Sequence, residues 1–264
     1  MLKFYKYHGA GNDFIMINNL SKDIILSPEQ IKQYCDRNMG IGADGIILLE
    51  SSFLSDCFMN YYNSDGSIAE MCGNGARCTA KFYLKETGKN LKEINLETRA
   101  GTKNIKVNGD DTYSVDMGAP IFESPDFPNS STGTVNIENL DFSCVSMGNP
   151  HAVAEVKDIE NFDFKTVGAK VEKNSLFPSK INVEFIEKVS DDYYKVKVWE
   201  RGCGATLACG TGACAVFSIL NKKENFNKEI TLEFPGGKLY LSKNEQDHVI
   251  LRGPATFVFK GEII

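Results

Sequence analysis

The sequence predicts an α+β fold made of two similar halves. Three observations carry this: a repeat at one fixed spacing, strand-length apolar runs in both halves, and two Gly-rich segments that each open a helix. The repeat comes first. MCGNGARC, with Cys72, Gly73 and Gly75, matches ACGTGACA, with Cys209, Gly210 and Gly212, at a spacing of 137 residues. Three further landmarks keep that spacing: Gly11-Asn12 with Gly148-Asn149, Asn63 with Glu200, and GIILLE from Gly45 with NVEFIE from Asn182. A constant offset over about half the chain is the mark of a duplicated structural unit.

The strand-like runs are DFIMINN, GIILLE, CFMNYY, INLET and YSVDM in the first half, and HAVAEV, INVEFIE, YYKVKVW, ITLEF and HVILR in the second. They are short and apolar, often alternating, and bounded by turn residues. Ser27-Pro28-Glu29-Gln30 is a capping box with proline at the first helical position, and it predicts a helix over 28–38. A second helix is expected from about Gly75 to Gly88, and its counterpart from about Gly212 to Asn221. The counterpart, through ACAVFSIL, is apolar almost all round and is expected inside its domain. Pro120, Pro125 and Pro128 break both patterns and place the boundary near 118–134. The expected domains are residues 1–117 joined by 254–264, and residues 118–253.

Composition narrows the function. With 264 residues and 42% hydrophobic content, the chain has ample material for a packed core. Its 29 basic residues against 35 acidic ones are scattered, which argues against nucleic acid as a partner. No apolar stretch approaches a signal-peptide core or a spanning segment, so a cytoplasmic protein without membrane association is expected. In that compartment the eight cysteines are expected to be reduced thiols.

Cys35, Cys57 and Cys144 read as buried apolar residues, as do Cys78 and Cys214 inside helices, while Cys203 is open to either reading. The spacings lack the CxxC pairs of a structural zinc site, and no metal is expected. Neither GxGxxG nor GxxxxGK[ST] is present, so the glycines are not those of a nucleotide loop. Cys72 and Cys209, each at a helix start, are different. Unpaired N–H groups and the positive dipole end favour an anion there, either a thiolate or a ligand carboxylate. Two such thiols on opposite sides of one cleft suit inversion at a stereocentre: one removes a proton, the other returns one from the far face.

The motifs HGAGNDF, GIGADG, NSDGS, CGNGARC, GNPH, INVEF, ERG and ACGTGACA together resemble the diaminopimelate epimerase family over essentially the whole chain. The resemblance implies interconversion of LL- and meso-diaminopimelate without pyridoxal phosphate, metal or other cofactor, in lysine and cell-wall precursor biosynthesis. It implies Cys72 and Cys209 as the acid–base pair, with His151 and Glu200 beside them setting thiol pKa values. Asn12, Asn63, Gly73, Asn74, Asn149, Asn182, Glu200, Arg201, Gly210 and Thr211 would bind substrate.

The implied architecture is a pair of antiparallel barrel-like sheets, each wrapped around a central helix, with the last strand returning to the first domain, and the implied assembly is a homodimer. One departure stands out. Many members carry glutamine where this chain has Gly45. His8 and His248 read as structural. A proline or hydroxyproline racemase offers the nearest alternative chemistry, and a non-catalytic amino-acid binder the alternative class. The number of polar side chains favours the substrate with two amino-acid head groups.

Overall fold

The computed structural model describes residues 1–128 and 134–264; the rest of the expected boundary stretch lies outside the described residues. The chain divides into two compact units, Met1–Val115 with Gly253–Ile264, and Asp116–Arg252.

The first unit begins with β1 (Leu2–Gly9), β2 (Asn12–Asn19), α1 (Pro28–Cys35), β3 (Gly45–Glu50) and β4 (Cys57–Asn63). It continues with α2 (Gly73–Thr87), β5 (Glu93–Thr98), β6 (Gly101–Val107) and β7 (Thr112–Asp116). Neighbouring strands pair in sequence order, antiparallel except β2 with β3 and β4 with β5. Those two parallel joins are where the helices sit, because parallel neighbours need a crossover and a helix supplies it. β3 is apolar and enclosed on both faces from Gly45 to Leu49, whereas β4 alternates buried and half-buried positions over most of its length. α2 packs against β1 to β6, so the sheet wraps around it.

Local chemistry sets the boundaries. The capping box of α1 forms as expected, with Ser27 accepting from the Gln30 amide and the Gln30 side chain accepting from the Ser27 amide. The helix ends at Cys35, three residues before Asn38, because Asp36 leaves helical geometry and its carboxylate takes the Asn38 and Met39 amides. Gly88, with φ 67°, closes α2 in the left-handed conformation. Ala10 (φ 52°) and Gly11 (φ 83°) form the two-residue turn between β1 and β2, which sets Asn12 at the head of β2.

The second unit contains β8 (Thr134–Ile137), β9 (Leu140–Ser146), β10 (Pro150–Glu155), α3 (Phe164–Glu172), β11 (Asn182–Ser190) and β12 (Tyr193–Glu200). Then come β13 (Gly204–Thr206), α4 (Gly210–Glu224), β14 (Ile230–Phe234), β15 (Gly237–Lys243) and β16 (Val249–Pro254). Its parallel joins, β10 with β11 and β12 with β14, again bracket helices. α4 is buried at nearly every position from Gly210 to Leu220 and packs on β9, β10, β11 and β15.

The duplication extends to register. Phe14 pairs with Gly45, and His151 pairs with Asn182, both 137 residues on. α2 and α4 each span 15 residues at the same offset. The last strand, β17 (Thr256–Ile263), pairs with β1 and belongs to the first unit, as β8 pairs with β9 in the second. Among the described residues no helix is long and apolar enough to cross a membrane.

An ion-pair network ties the start of the first unit together. Lys6 reaches the Gly42 carbonyl and Asp13, and Arg37 spans Asp13 and Asp44, both at 2.7 Å. Burial alone would raise the Asp13 carboxyl, yet hydrogen bonds from Arg37 and Lys6 outweigh it and hold the carboxyl at about 2, against an ordinary 3.8. The folded value lies below the unfolded one, so this stabilisation is complete above the ordinary carboxylate range and drains away as pH falls toward about 2. The gap corresponds to roughly 2 kcal/mol. Urea unfolding of native protein and Asp13→Asn should therefore show a stability difference at neutral pH that closes between about pH 5 and pH 2. A difference that stays constant over that range would contradict the assignment.

Candidate active site

Each cysteine of the repeat is the N-cap of its helix, Cys72 of α2 and Cys209 of α4. The helices thus begin two residues earlier than the glycines suggested, and α4 runs on to Glu224. The two sulfurs are used differently. Cys209 Sγ caps its own helix, accepting the Gly212 amide at 3.3 Å, and lies 3.4 Å from Thr211 Oγ1. Cys72 makes no side-chain cap of its helix, and its thiol donates to Asn12 Oδ1 at 3.4 Å.

In the first unit the structure brings together Asn12, Cys72, Gly73 and Asn74, with Asn74 Nδ2 donating to the same Asn12 oxygen at 3.3 Å. Asn63, at the end of β4, turns its amide to Ser67 Oγ at 3.0 Å. Gly45 is closely packed. A Cβ there would press into the Tyr62 carbonyl and lie 2.6 Å from the Tyr61 ring, so Tyr61 occupies the space a longer side chain needs.

In the second unit Asn149, His151, Glu200, Cys209, Gly210 and Thr211 gather around a buried His–Glu pair that the sequence reading missed. His151 Nδ1 lies 2.8 Å from Glu184 Oε1, and both side chains are wholly enclosed. Nε2 faces Asn149 Oδ1 at 3.0 Å, and Asn149 Nδ2 donates to Thr211 Oγ1 at 3.4 Å. A hydrogen-bonded chain therefore links Glu184, His151, Asn149, Thr211 and Cys209. The pseudo-equivalent positions in the first unit hold Phe14 and Ile47, which lie under Gly75 as Glu184 lies under Gly212. Glu184 sits in the INVEF motif, and a charged residue in an otherwise buried strand was the signal for it.

Burial pushes the Cys209 thiol well above its ordinary value; the Glu200 and Glu184 carboxylates push it further, and Thr211 and the Gly212 amide offset part of this. Glu200 is raised too, first by burial, while hydrogen bonds from Thr206 and Cys209 act against the rise. Thr206 Oγ1 donates to Glu200 Oε1 at 2.5 Å, a partner not anticipated from sequence.

Asn182 is buried, with its amide engaged by the backbone: Nδ2 donates to the Pro150 carbonyl, and Oδ1 accepts the Arg201 amide, both at 2.9 Å. It positions the Glu200–Arg201 turn. Arg201 itself is exposed and reaches the Ser179 carbonyl at 3.1 Å. Glu172 fixes the other side of that turn through Trp199 Nε1 and the Gly202 amide.

The remaining thiols behave as packing groups. Burial pushes Cys35, Cys57, Cys78 and Cys144 up to about 12, and Cys214 is enclosed within α4, whereas Cys203 is exposed. His8 Nδ1 accepts the Gly11 amide at 3.4 Å in the β1–β2 turn, and His248 pairs with Asp116 at 3.0 Å.

A duplicated α+β fold with a cysteine at the N-cap position of each central helix defines the architectural class of the protein. Solved structures share the fold. A phenazine biosynthesis protein of the PhzF family from Bacillus anthracis superposes with a TM-score of 0.73 at 17% identity, covering 100% of this chain and 99% of its own. A hydroxyproline epimerase from Agrobacterium vitis gives 0.69 at 12% identity, with 99% and 90% covered.

Sequence comparison is more specific. The diaminopimelate epimerase family model matches residues 4–123 and 143–258. Diaminopimelate epimerases from Trichodesmium erythraeum, 43% identical with 98% of each chain covered, and from Methanococcus maripaludis strain C5, 41% identical with 99% of each covered, are among the relatives. The chain belongs to the diaminopimelate epimerase family.

Proposed function

We propose that the protein interconverts LL- and meso-diaminopimelate by passing protons through Cys72 and Cys209, in lysine and cell-wall precursor biosynthesis. The observation that carries this is the equivalent placement of the two cysteines, each the N-cap of a 15-residue central helix at an offset of 137.

Glu200, whose affinity for a proton is raised by burial, takes the proton of the Cys209 thiol. The resulting thiolate removes the α-proton; the C–H electron pair passes into the α-carboxylate as an enediolate. The Cys72 thiol then protonates that carbon from the opposite face. Backbone N–H groups at Gly73-Asn74 and Gly210-Thr211 suit the carboxylate, because a helix N-terminus favours negative charge and gains strength as that charge grows. His151, held by Glu184, orients Asn149. Asn12, Asn63 and Arg201 supply polar contacts to the substrate, and Asn182 holds Arg201 in place.

The test is α-proton exchange in heavy water, followed by NMR, with LL-diaminopimelate compared against L-proline. Exchange at the α-carbon of diaminopimelate and none with proline is the expected result. Exchange with proline alone would replace this substrate by that of the racemases. We also place the enzyme in the cytoplasm as a homodimer. In support of the dimer, β17 pairs with β1 in the first unit and exposes Phe257, Val258 and Phe259.

A further inference from the structure

The hydrogen bonds around Cys72 have a direction that is fixed from both ends. Arg77 is fully buried in α2 and can only donate. Its Nη2 gives a hydrogen bond to Asn74 Oδ1 at 2.8 Å, while its Nε and Nη1 hold the carbonyls of Pro254 and Gly73. That leaves the Asn74 Nδ2 group to face Asn12 Oδ1. At the other end Asn12 Nδ2 donates to Asp44 Oδ2 at 2.7 Å. The Asp44 carboxylate is an acceptor three times over, receiving the Asp13 amide at 3.1 Å and Arg37 Nη2 at 2.7 Å as well.

An amide turned the other way would set oxygen against carboxylate oxygen at one end and nitrogen against nitrogen at the other. Asn12 therefore presents its oxygen to the Cys72 sulfur, and a sulfur facing an acceptor must bring the proton itself. At Cys209 no such constraint exists. Its chain ends in the Thr211 hydroxyl, which either donates or accepts, so that chain is free to reverse.

We propose that Asp44 is a positioning residue which, by locking the Asn12 amide, keeps Cys72 a protonated thiol in the substrate-free protein. This deepens the two-cysteine reading by giving Cys72 the part of acid, and it rests on that reading for its catalytic meaning alone. The charged groups around this end of the chain are Lys6 on β1, Asp13 on β2, Arg37 after α1 and Arg77 on α2, and α2 adds one titratable group, the buried Cys78 thiol, which burial keeps neutral.

The test is the pH profile of Cys72 alkylation by iodoacetamide, resolved by peptide mass spectrometry, in native protein, Asp44→Asn and Arg37→Gln. In Asp44→Asn the residue at 44 accepts or donates, so the short bond to a carboxylate is replaced by a neutral one and only the 3.3 Å bond from Asn74 Nδ2 still orients Asn12. Held by this weaker end alone, the amide can turn its Nδ2 to sulfur, and the thiolate gains a donor. The Cys72 profile should then shift to lower pH, raising the neutral-pH rate about tenfold relative to its own alkaline plateau, as a one-unit displacement requires. Arg37→Gln cuts the outer ion pair and leaves the Asp44–Asn12 bond, so its profile should stay in place. A rise in rate by the same factor at every pH would mean that Asp44→Asn merely loosens the unit, and would overturn the proposal; so would a profile unmoved in Asp44→Asn. Because the readout is alkylation of one thiol, it holds or fails whether or not diaminopimelate is turned over.

Discussion

Cys72→Ala and Cys209→Ala should each lose at least about a thousandfold in epimerisation, because each removes a group that carries a proton in the transition state, and such groups contribute about 10²–10⁴ in rate. The two variants should differ in what survives. With Cys209 intact, the Cys72→Ala protein still has a base beside Glu200 and should wash α-deuterium into the substrate it binds without inverting it. With Cys209 gone, both exchange and inversion from that face should stop. Folding should be nearly unaffected in Cys72→Ala, whose sulfur caps nothing, and weakened in Cys209→Ala, whose sulfur accepts the Gly212 amide. Wild-type turnover in either variant, measured by coupled assay or chiral chromatography, would remove that cysteine from the mechanism.

Glu200→Gln should lower turnover about a hundredfold, near the bottom of the range for an acid–base group. The Cys209 thiol should respond in the opposite sense. Burial raises it first, and the Glu200 carboxylate adds to that, so an uncharged side chain of the same shape removes one obstacle to the thiolate. Cys209 should alkylate faster at neutral pH in Glu200→Gln while epimerisation falls. A collapsed site would lose activity without that selective gain, and Thr206 remains available to hydrogen-bond the amide oxygen. If alkylation of Cys209 slowed instead, Glu200 would already be taking the thiol proton in the substrate-free protein, a gain that outweighs the repulsion between its charge and the sulfur's.

How far the sequence displayed this arrangement depended on the kind of information involved. The offset of 137 was readable because glycines and asparagines at turns cannot be exchanged freely, so Gly11-Asn12 and Gly148-Asn149 kept their identity in both halves. The same offset applied to α1 falls on α3, yet that helix escaped notice: its cap is a lone Asp163 rather than a Ser–Gln box with proline at the first helical position, so no capping box marks its start. β1, β6, β8, β9, β13 and β15 were also missed, since they are short or are interrupted by charged, hydroxyl or small residues and owe their extended form to neighbours. Cys72, Cys209 and the asparagines stood out by type and spacing. Asp44 and Glu184 did not, because each matters through a partner distant in sequence: Asp44 meets Asn12 across 32 residues and Glu184 meets His151 across 33. Thr206 meets Glu200 only through the pairing of β12 with β13, which no local pattern displays. Asn182 illustrates the reverse, a motif residue whose amide holds the backbone of a turn.

The return of β17 to the edge of β1 has a consequence for biogenesis. All of the second unit is encoded between the two partners of that ladder, so it can fold on the ribosome as a continuous stretch while the first waits, one strand short, with β1 unpaired along that side. Pro254, whose carbonyl holds Arg77, arrives with the same late segment. The N-terminal half is thus finished after the C-terminal half, and a nascent chain interrupted before residue 254 would carry a bare sheet margin open to pairing with other chains.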